Sequence, residues 1–115
     1  MFIHTALHHP KSPAEKAKMI AMMPSWAEAQ SRHKGFIHVV VGEAQDENII
    51  FLVGLWDSKA DFMAAMPALG GFLSTIDFPS LQDGPTRSGF LERSKDSPIT
   101  TIKVGPVSGP PKPPA

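Results

Sequence analysis

Residues 35–66 read GFIHVVVGEAQDENIIFLVGLWDSKADFMAAM and decide the fold of this chain. Two short apolar runs, Phe36–Val41 and Ile49–Trp56, lie on either side of a polar break at residues 45–48. Runs of this length that are rich in Val, Ile and Phe favour strands over buried helix. Since the break is long enough only for a hairpin loop, the stretch predicts a β-hairpin.

A helix is predicted directly after the hairpin. Ser58 can cap its N-terminus, and Asp61, three residues later, completes a capping box. The apolar residues that follow recur at helical spacing as far as Met66. Pro67 is expected to end this helix, because a proline removes a helical hydrogen bond.

The second strand of the hairpin is apolar on both faces. Ile49–Trp56 lacks the alternation of a strand that has one solvated face, so both of its faces must be covered. A single layer of helices covers only one face of a sheet. We therefore expect a second subunit to cover the other face, and the sequence predicts a homodimer.

The chain before the hairpin predicts a strand and a helix. Phe2–His9 alternates loosely and is predicted to be a strand that Pro10 ends. Residues 12–15 read Ser-Pro-Ala-Glu and contain a cap, a proline at the first helical position and a glutamate three residues after the cap. This helix is predicted to run towards His33, with a kink or a break at Pro24.

The chain after the second helix is less regular. Phe72–Ile76 can form one or two helical turns, which Pro79 is expected to end. Arg87–Arg93 is predicted to be a strand, and Ile99–Val104 a short edge strand or an arm that reaches a neighbour. Residues 105–115 form a tail rich in proline and glycine, so the domain is predicted to span residues 1–104.

The order strand, helix, strand, strand, helix, strand predicts the fold class. Two right-handed strand–helix–strand units interlock as a ferredoxin-like α+β fold. We therefore predict a βαββαβ topology with a four-stranded antiparallel sheet and both helices on one face.

The composition excludes several classes of protein. The 115 residues contain eleven basic and eleven acidic residues, a balance that predicts no nucleic-acid partner and no anionic membrane partner. The chain has no cysteine, which excludes disulfides and thiolate metal sites and favours a cytoplasmic location. It has neither a secretory signal pattern nor an apolar run long enough to span a bilayer.

The central stretch resembles the antibiotic biosynthesis monooxygenase family of the dimeric α+β barrel superfamily. The likeness rests on Gly35-Phe36 at the start of a strand, Trp56 at the end of the next, Ser58 two residues later and Phe62 beyond it, and it covers about residues 2–94. It implies a homodimer in which two sheets face each other and enclose a cavity opposite the helices.

The family resemblance also implies a chemistry. The family includes monooxygenases that act on polycyclic aromatic substrates without a cofactor, so we expect no cofactor. Haem-degrading members carry an iron-ligating histidine downstream of the residue that Trp56 matches, whereas all five histidines of this chain precede Trp56. The resemblance therefore does not favour haem degradation.

The hairpin register decides which side chains share the face that carries Trp56, since directly opposite residues of antiparallel strands point to the same face. If Glu43 pairs with Ile49, then His38 pairs with Gly54 and Phe36 with Trp56. In that register His38 faces the cavity.

A slip of one residue reverses the faces of the first hairpin strand. In the alternative register Ile37, Val39 and Val41 face the cavity instead of His38.

The predicted catalytic residues are His38, because histidine is the natural choice for a general base, and Trp56, which is expected to hold an aromatic ring together with Phe62. The predicted substrate-binding residues are His4, Phe36, Leu52, Gly54, Phe62 and Arg87. No metal site is predicted, because His4 and His8 lie roughly 13 Å apart on one strand face and cannot bind one ion together.

We therefore predict a cofactor-independent monooxygenase that binds a small aromatic or apolar ligand in an apolar cavity between sheet and helices. Two alternatives stay open. One is a non-catalytic module of the same fold that binds a small ligand or mediates dimerisation. The other is an isomerase of the muconolactone isomerase type, which needs a proton shuttle such as His4 and His38 facing one pocket.

Overall fold

A computed structural model describes residues 1–44 and 46–93 of the chain. In chain order the elements are β1 (Phe2–His8), α1 (Pro13–Ser31), β2 (Phe36–Glu43), β3 (Ile50–Trp56), α2 (Lys59–Leu73), α3 (Phe78–Leu81) and β4 (Arg87–Glu92). The predictions for Ile99–Val104 and for the tail lie outside the described residues.

The four strands form one antiparallel sheet in the order β2-β3-β1-β4. The helices pack on one face of this sheet, where Leu52, Ile50 and Ala6 contact Met19 of α1 and Phe78 of α3 in the core. The predicted ferredoxin-like fold is therefore confirmed. No helix of the described residues is both long and apolar enough to cross a membrane.

Both predicted helix starts are present. The Ser12 hydroxyl accepts a hydrogen bond from the Glu15 backbone N–H at 3.4 Å, and the Ser58 hydroxyl accepts one from the Asp61 N–H at 3.1 Å. Each cap satisfies a backbone donor that has no partner inside the helix. These local signals place the N-termini of α1 and α2.

The predicted breaks at the prolines are wrong. Helix α1 continues past Pro24, and α2 continues past Pro67 and two glycines to Leu73. Pro79 ends no helix and instead lies in the first turn of α3, where a missing N–H carries no penalty.

Packing explains why the two internal prolines are tolerated. Both Pro24 and Pro67 are exposed, so water can reach the carbonyl that each leaves without a helical partner. The turns that follow are held in the core, where Leu69 is buried and Trp26 packs against the same cluster. Tertiary contacts therefore stabilise helix that the local sequence disfavours.

The register of the hairpin differs from the one predicted for His38. Phe36 pairs with Trp56 as expected, but an irregularity between Phe36 and His38 shifts the strand, so that Glu43 pairs with Ile50 and His38 with Leu55. A bulge of this kind adds one residue to one strand and moves the residues beyond it to opposite faces.

As a result, Val39 and Val41 occupy the helix-facing side of β2, opposite Gly54 and Leu52. This is the alternative register. On the opposite face of the sheet, Val40 is 48% exposed and Phe51 is 39% exposed, so this protomer leaves apolar side chains uncovered there.

Candidate functional site

A cavity of about 190 Å³ lies between the sheet and the helices of a single protomer. Its walls are mostly apolar, with methionine and aromatic side chains from the helices facing strands β1, β3 and β4. The polar residues among those that line it are His4, His8, Gln30, Thr86 and Ser88. The cavity can therefore hold a small apolar molecule that offers a few hydrogen-bonding groups.

Four of the predicted site residues line this cavity: His4, Leu52, Gly54 and Phe62. Three of them follow from strand pairing, because His4 pairs with Gly54 and Ala6 pairs with Leu52 on the helix-facing side. Phe62 reaches the same space from the first turn of α2, which Ser58 caps.

Phe36 and Trp56 lie behind the cavity wall rather than on it. Trp56 is completely buried and meets Phe36 edge-on at 5.4 Å and Phe62 edge-on at 5.6 Å between ring centroids. Its indole ring therefore supports Phe62. The indole Nε1 of Trp56 has no hydrogen-bond partner in the described part of the chain.

His38 and Arg87 lie outside the cavity. His38 pairs with Leu55 and is exposed on the face turned away from the helices, so the placement predicted for it is wrong. Arg87 is exposed and precedes Ser88, which lines the cavity. Since neighbouring residues of a strand point to opposite faces, Arg87 points away from the cavity.

Gly54 leaves a gap between two polar side chains. A Cβ atom at this position would lie 3.6 Å from Gln30 Oε1 and 3.7 Å from Trp56 Nε1. The side-chain amide of Gln30 and the indole N–H of Trp56 therefore flank the same point of the cavity wall.

Within residues 1–44 and 46–93, neither Gln30 Nε2 nor Trp56 Nε1 has a hydrogen-bond partner. Gln30 is only 1% exposed. Such groups are rare in folded proteins, and each costs about 1–3 kcal/mol of stability. Both donors therefore remain available to an acceptor atom.

His4 forms an aromatic part of the wall. Its ring lies 5.2 Å from the rings of both Phe62 and Phe90. Burial, and to a smaller extent the nearby His8, lower the pKa of His4 from its usual 6.5 to about 4. The imidazole is therefore neutral at pH 7 and offers a flat ring against which an aromatic ligand can stack.

His8 lies at the far end of the cavity and is tightly held. Its Nδ1 is 2.9 Å from Gln82 Oε1 and 3.2 Å from Thr86 Oγ1, and its ring stacks on Phe78 at an interplanar angle of 4°. Burial lowers the pKa of His8 below 6.5, although the hydrogen bond to Gln82 Oε1 acts in the opposite direction.

Gln30 and His8 were missing from the predicted site, although the sequence contains a signal for each. Gln30 continues the stripe of Met19, Met23 and Trp26 at helical spacing, and is a polar residue on an apolar helix face. His8 shares its strand face with His4, since the two are four residues apart.

Among residues 1–44 and 46–93, no three His, Cys, Asp or Glu side chains converge closely enough to hold a metal ion.

Comparison with known proteins identifies the fold. A protein from Deinococcus radiodurans, named as a candidate antibiotic biosynthesis monooxygenase, aligns with a TM-score of 0.68 at 14% identity, over 88% of this chain and 100% of its own. SnoaB, a cofactor-independent oxygenase from Streptomyces nogalater, solved as a point mutant, aligns with a TM-score of 0.68 at 14% identity, over 85% and 97%.

A third similar structure contains a ligand. The monooxygenase from the ActVA-Orf6 gene of Streptomyces coelicolor, in complex with nanaomycin D, aligns with a TM-score of 0.63 at 18% identity, over 85% of this chain and 92% of its own. No family model and no curated protein matches the sequence. At these identities the likeness establishes the fold that this chain shares with antibiotic biosynthesis monooxygenases.

Proposed function

We propose that this chain, which has the fold of antibiotic biosynthesis monooxygenases, binds a small aromatic carbonyl compound in its cavity and oxygenates it without a metal or flavin. The observation that carries the proposal is that Gln30 Nε2 and Trp56 Nε1 are buried donors without a partner among the described residues, and that the Gln30 amide, through its Oε1, and Trp56 Nε1 both approach the same point beside Gly54. A carbonyl oxygen of the ligand accepts hydrogen bonds from this pair.

The remaining wall suits the flat body of such a ligand. Phe62 and Phe90 contact the neutral ring of His4, and methionines from α1 and α2 complete the enclosure. Aromatic faces and polarisable thioethers bind ring systems by stacking and dispersion. The Streptomyces coelicolor monooxygenase of the same fold was solved with nanaomycin D, which supports a ligand in this class of proteins.

In the proposed reaction the substrate itself supplies the electrons, and dioxygen is the oxidant. One oxygen atom enters the substrate, and the other leaves as water with two hydrogens that the substrate gives up. The protein binds the substrate, excludes bulk water and promotes loss of a proton from the substrate. The resulting anion is electron-rich enough to react with dioxygen.

The alternatives differ in what the same cavity does. A non-catalytic binding module needs the same contacts but consumes no oxygen. The isomerase needed His4 and His38 in one pocket, and the register of β2 places His38 on the opposite face. The monooxygenase and the non-catalytic binding module both need the apolar lining and the donor pair. Oxygen consumption therefore distinguishes these two functions.

We also propose that the protein is a homodimer in the cytoplasm. The uncovered apolar side chains Val40 and Phe51, on the sheet face away from the helices, support the dimer. The cytoplasmic location rests on the absence of cysteine and stays a prediction.

Gly54→Ala tests the site, with Gly42→Ala as its matched control. The new methyl group at residue 54 meets its neighbours at ordinary van der Waals distances, 3.6 Å or more, so the protein is expected to fold. It fills the gap between the two donors, and we expect at least about a tenfold loss of affinity for a hydroxynaphthoquinone. At residue 42 a methyl group meets only Phe51 on the neighbouring strand, at 3.6 Å or more, and affinity is expected to stay unchanged.

Oxygen uptake with phenolic and quinol-forming substrates then distinguishes an enzyme from a binding module. We expect uptake that Gly54→Ala lowers and that Gly42→Ala and His38→Ala leave unchanged. Binding without uptake by any of these substrates would favour the non-catalytic module. Equal affinity in the Gly54→Ala and Gly42→Ala variants would show that the cavity is not the binding site.

A further inference from the structure

Hydrogen bonds around Gln82 determine which nitrogen of His8 carries a hydrogen. Gln82 Nε2 lies 3.1 Å from the Gly84 carbonyl oxygen and 3.1 Å from Thr86 Oγ1, and a carbonyl oxygen can only accept. The amide oxygen of Gln82 therefore faces His8, 2.9 Å from Nδ1. Since this oxygen accepts, the hydrogen of the neutral His8 ring is on Nδ1.

The other ring nitrogen of His8 consequently has a free lone pair. No hydrogen bond of Nε2 occurs within the part of the chain that the structure describes, and His8 lines the cavity. The ring cannot turn easily, because Gln82 holds Nδ1 and Phe78 stacks on its face at 5.8 Å. His8 thus presents a fixed hydrogen-bond acceptor to whatever occupies the cavity.

We propose that His8 accepts a proton at Nε2 from a hydroxyl group of the ligand, and that Gln82 is the positioning residue that holds His8 in the competent tautomer. This inference rests on the proposed function and deepens it, because it names a second functional group of the ligand. It also assigns the proton acceptor to His8 in place of His38.

The proposed step moves one proton from the ligand hydroxyl to His8 and needs no other reactant. The O–H bond of the ligand breaks, its electron pair stays on the ligand oxygen, and an N–H bond forms at His8 Nε2. The positive charge of the resulting imidazolium is shared with the Nδ1–H hydrogen bond to Gln82 Oε1. In catalytic triads a carboxylate orients the histidine base, and here the neutral amide of Gln82 has that role.

A neutral orienting group selects for an acidic hydroxyl. Burial lowers the pKa of His8, and no carboxylate contacts its Nδ1 to oppose that effect. A weak base takes a proton only from a comparably acidic donor. A hydroxyl conjugated with an aromatic carbonyl meets this condition, because its anion is delocalised.

The charged and titratable groups around His8 do not supply a competing base. His4 lies on the same strand face, and His9 is next in the chain. Glu43 lies beyond Ile50 on the same face of the sheet and is paired with Lys16 at 3.2 Å. The turn of α3 that packs on His8, Phe78–Leu81, carries no charged residue.

The two polar ends of the cavity set the length of the ligand. Gly54, between the two donors, pairs with His4, and His8 lies four residues further along β1, roughly 13 Å away at the rise of a strand. Hydrogen bonds at both ends leave roughly 7 Å between the carbonyl and hydroxyl oxygens of the ligand. A fused two-ring quinone with a hydroxyl on its second ring spans this distance.

Juglone, a hydroxynaphthoquinone whose anion absorbs at longer wavelength than its neutral form, is a direct probe. The chain has no cysteine that could add to the quinone. Bound to the full-length protein, juglone is expected to ionise at least about one pH unit below free juglone, because His8 accepts its proton. Naphthoquinone, which lacks the hydroxyl, measures binding alone by equilibrium dialysis.

Three variants assign the effect to His8 and Gln82. In His8→Gln, which cannot take up a proton, bound juglone is expected to ionise at the same pH as free juglone, and naphthoquinone dialysis measures how far the substitution alters binding itself. Gln82→Leu removes the orienting oxygen and should raise the ionisation pH of bound juglone. Gln82→Glu places a carboxylate beside Nδ1 and should lower the ionisation pH of bound juglone below that in the wild-type protein. If Gln82 had only a structural role, the two substitutions would not shift this pH in opposite directions.

The outcomes separate this inference from the proposed function. If the wild-type protein binds neither quinone, the proposed function is wrong and this inference with it. If it binds both but leaves the ionisation of juglone unchanged, or if His8→Gln binds juglone and keeps the full shift, the assignment to His8 alone is wrong. Should His8→Gln fail to fold, opposite shifts in the two Gln82 variants support the assignment, and shifts in one direction overturn it.

Discussion

At the scale of single residues, the buried amide of Gln30 lowers the stability of the empty protein and, in the proposed complex, binds the ligand. Gln30 is 1% exposed, and its Nε2 has no partner among the residues that the structure describes. A buried donor in this state lowers stability, and in the proposed complex the carbonyl oxygen of the ligand supplies the missing hydrogen bond. A group that destabilises the empty protein and serves the bound one is typical of functional sites.

Gln30→Leu separates the two effects. We expect the free energy of unfolding of the empty protein to rise by about 1 kcal/mol, because an apolar side chain of similar size removes an unpaired amide. Affinity for juglone should fall about tenfold, because one donor to the carbonyl oxygen is lost.

Denaturant unfolding and equilibrium dialysis measure these two quantities. Ile20→Leu, a change of shape at a position of α1 that packs against the core without lining the cavity, is the control and should alter juglone affinity less than about twofold. A loss of stability in Gln30→Leu would contradict the view that the amide is unsatisfied in the empty protein.

At the scale of elements, Lys16 ties helix α1 to the connection between β2 and β3. Its Nζ donates to the carbonyl oxygens of Ala44 at 2.5 Å and Glu47 at 3.0 Å, and lies 3.2 Å from Glu43 Oε1. The Lys16 side chain is 9% exposed, so these bonds are largely shielded from water. The hairpin that carries Gly54 is therefore held to the helix that carries Gln30.

Lys16→Met should loosen this connection. The change keeps the apolar stem and removes the three interactions of the ammonium group, and we expect the free energy of unfolding to fall by about 2 kcal/mol. Hydrogen exchange of the Ala44 and Ile49 amides should rise, since both lie in the tethered segment.

Lys18→Met is the matched control, because Lys18 is exposed on the same helix. It should change the free energy of unfolding by less than about 0.5 kcal/mol. Equal effects in the two variants would mean that loss of charge, rather than of the tether, is responsible.

At the scale of the whole molecule, the cavity and the predicted dimer interface lie on opposite faces of one sheet. The cavity is formed within one protomer between sheet and helices. The other face also carries uncovered apolar side chains, with Val40 48% exposed and Phe51 39% exposed. Ligand binding therefore does not require a partner subunit to close the site.

Phe51→Lys tests the dimer. A charge on this face should disrupt an apolar interface, and sedimentation should show a dimer for the wild-type protein and a monomer for the variant. Met63→Lys, at a side chain that is 55% exposed on α2, should stay dimeric.

The monomeric variant should still bind juglone with an affinity within about threefold of the wild type. A wild-type protein that sediments as a monomer would show that the homodimer is wrong. Loss of juglone binding in a folded Phe51→Lys monomer would show that the site depends on the partner.

Local patterns in the sequence were enough to predict the four strands, the two long helices and their order. Ser12 and Ser58 cap the two helices through hydrogen bonds to residues three positions away, and the apolar runs of the hairpin form strands. His4, Leu52, Gly54 and Phe62 line one cavity, because strand alternation and the start of α2 place them on the helix-facing side, and their role in binding stays a prediction.

Only the tertiary structure decided the register, the helix lengths and the position of the polar groups. One extra residue between Phe36 and His38 turns His38 away from the cavity, and no local pattern marks that irregularity. Because Trp26 and Leu69 pack against the core, α1 continues beyond Pro24 and α2 continues beyond Pro67. Capping and alternation act between neighbours in the chain, whereas register, helix ends and the unpaired amide of Gln30 depend on contacts between residues that are distant in sequence.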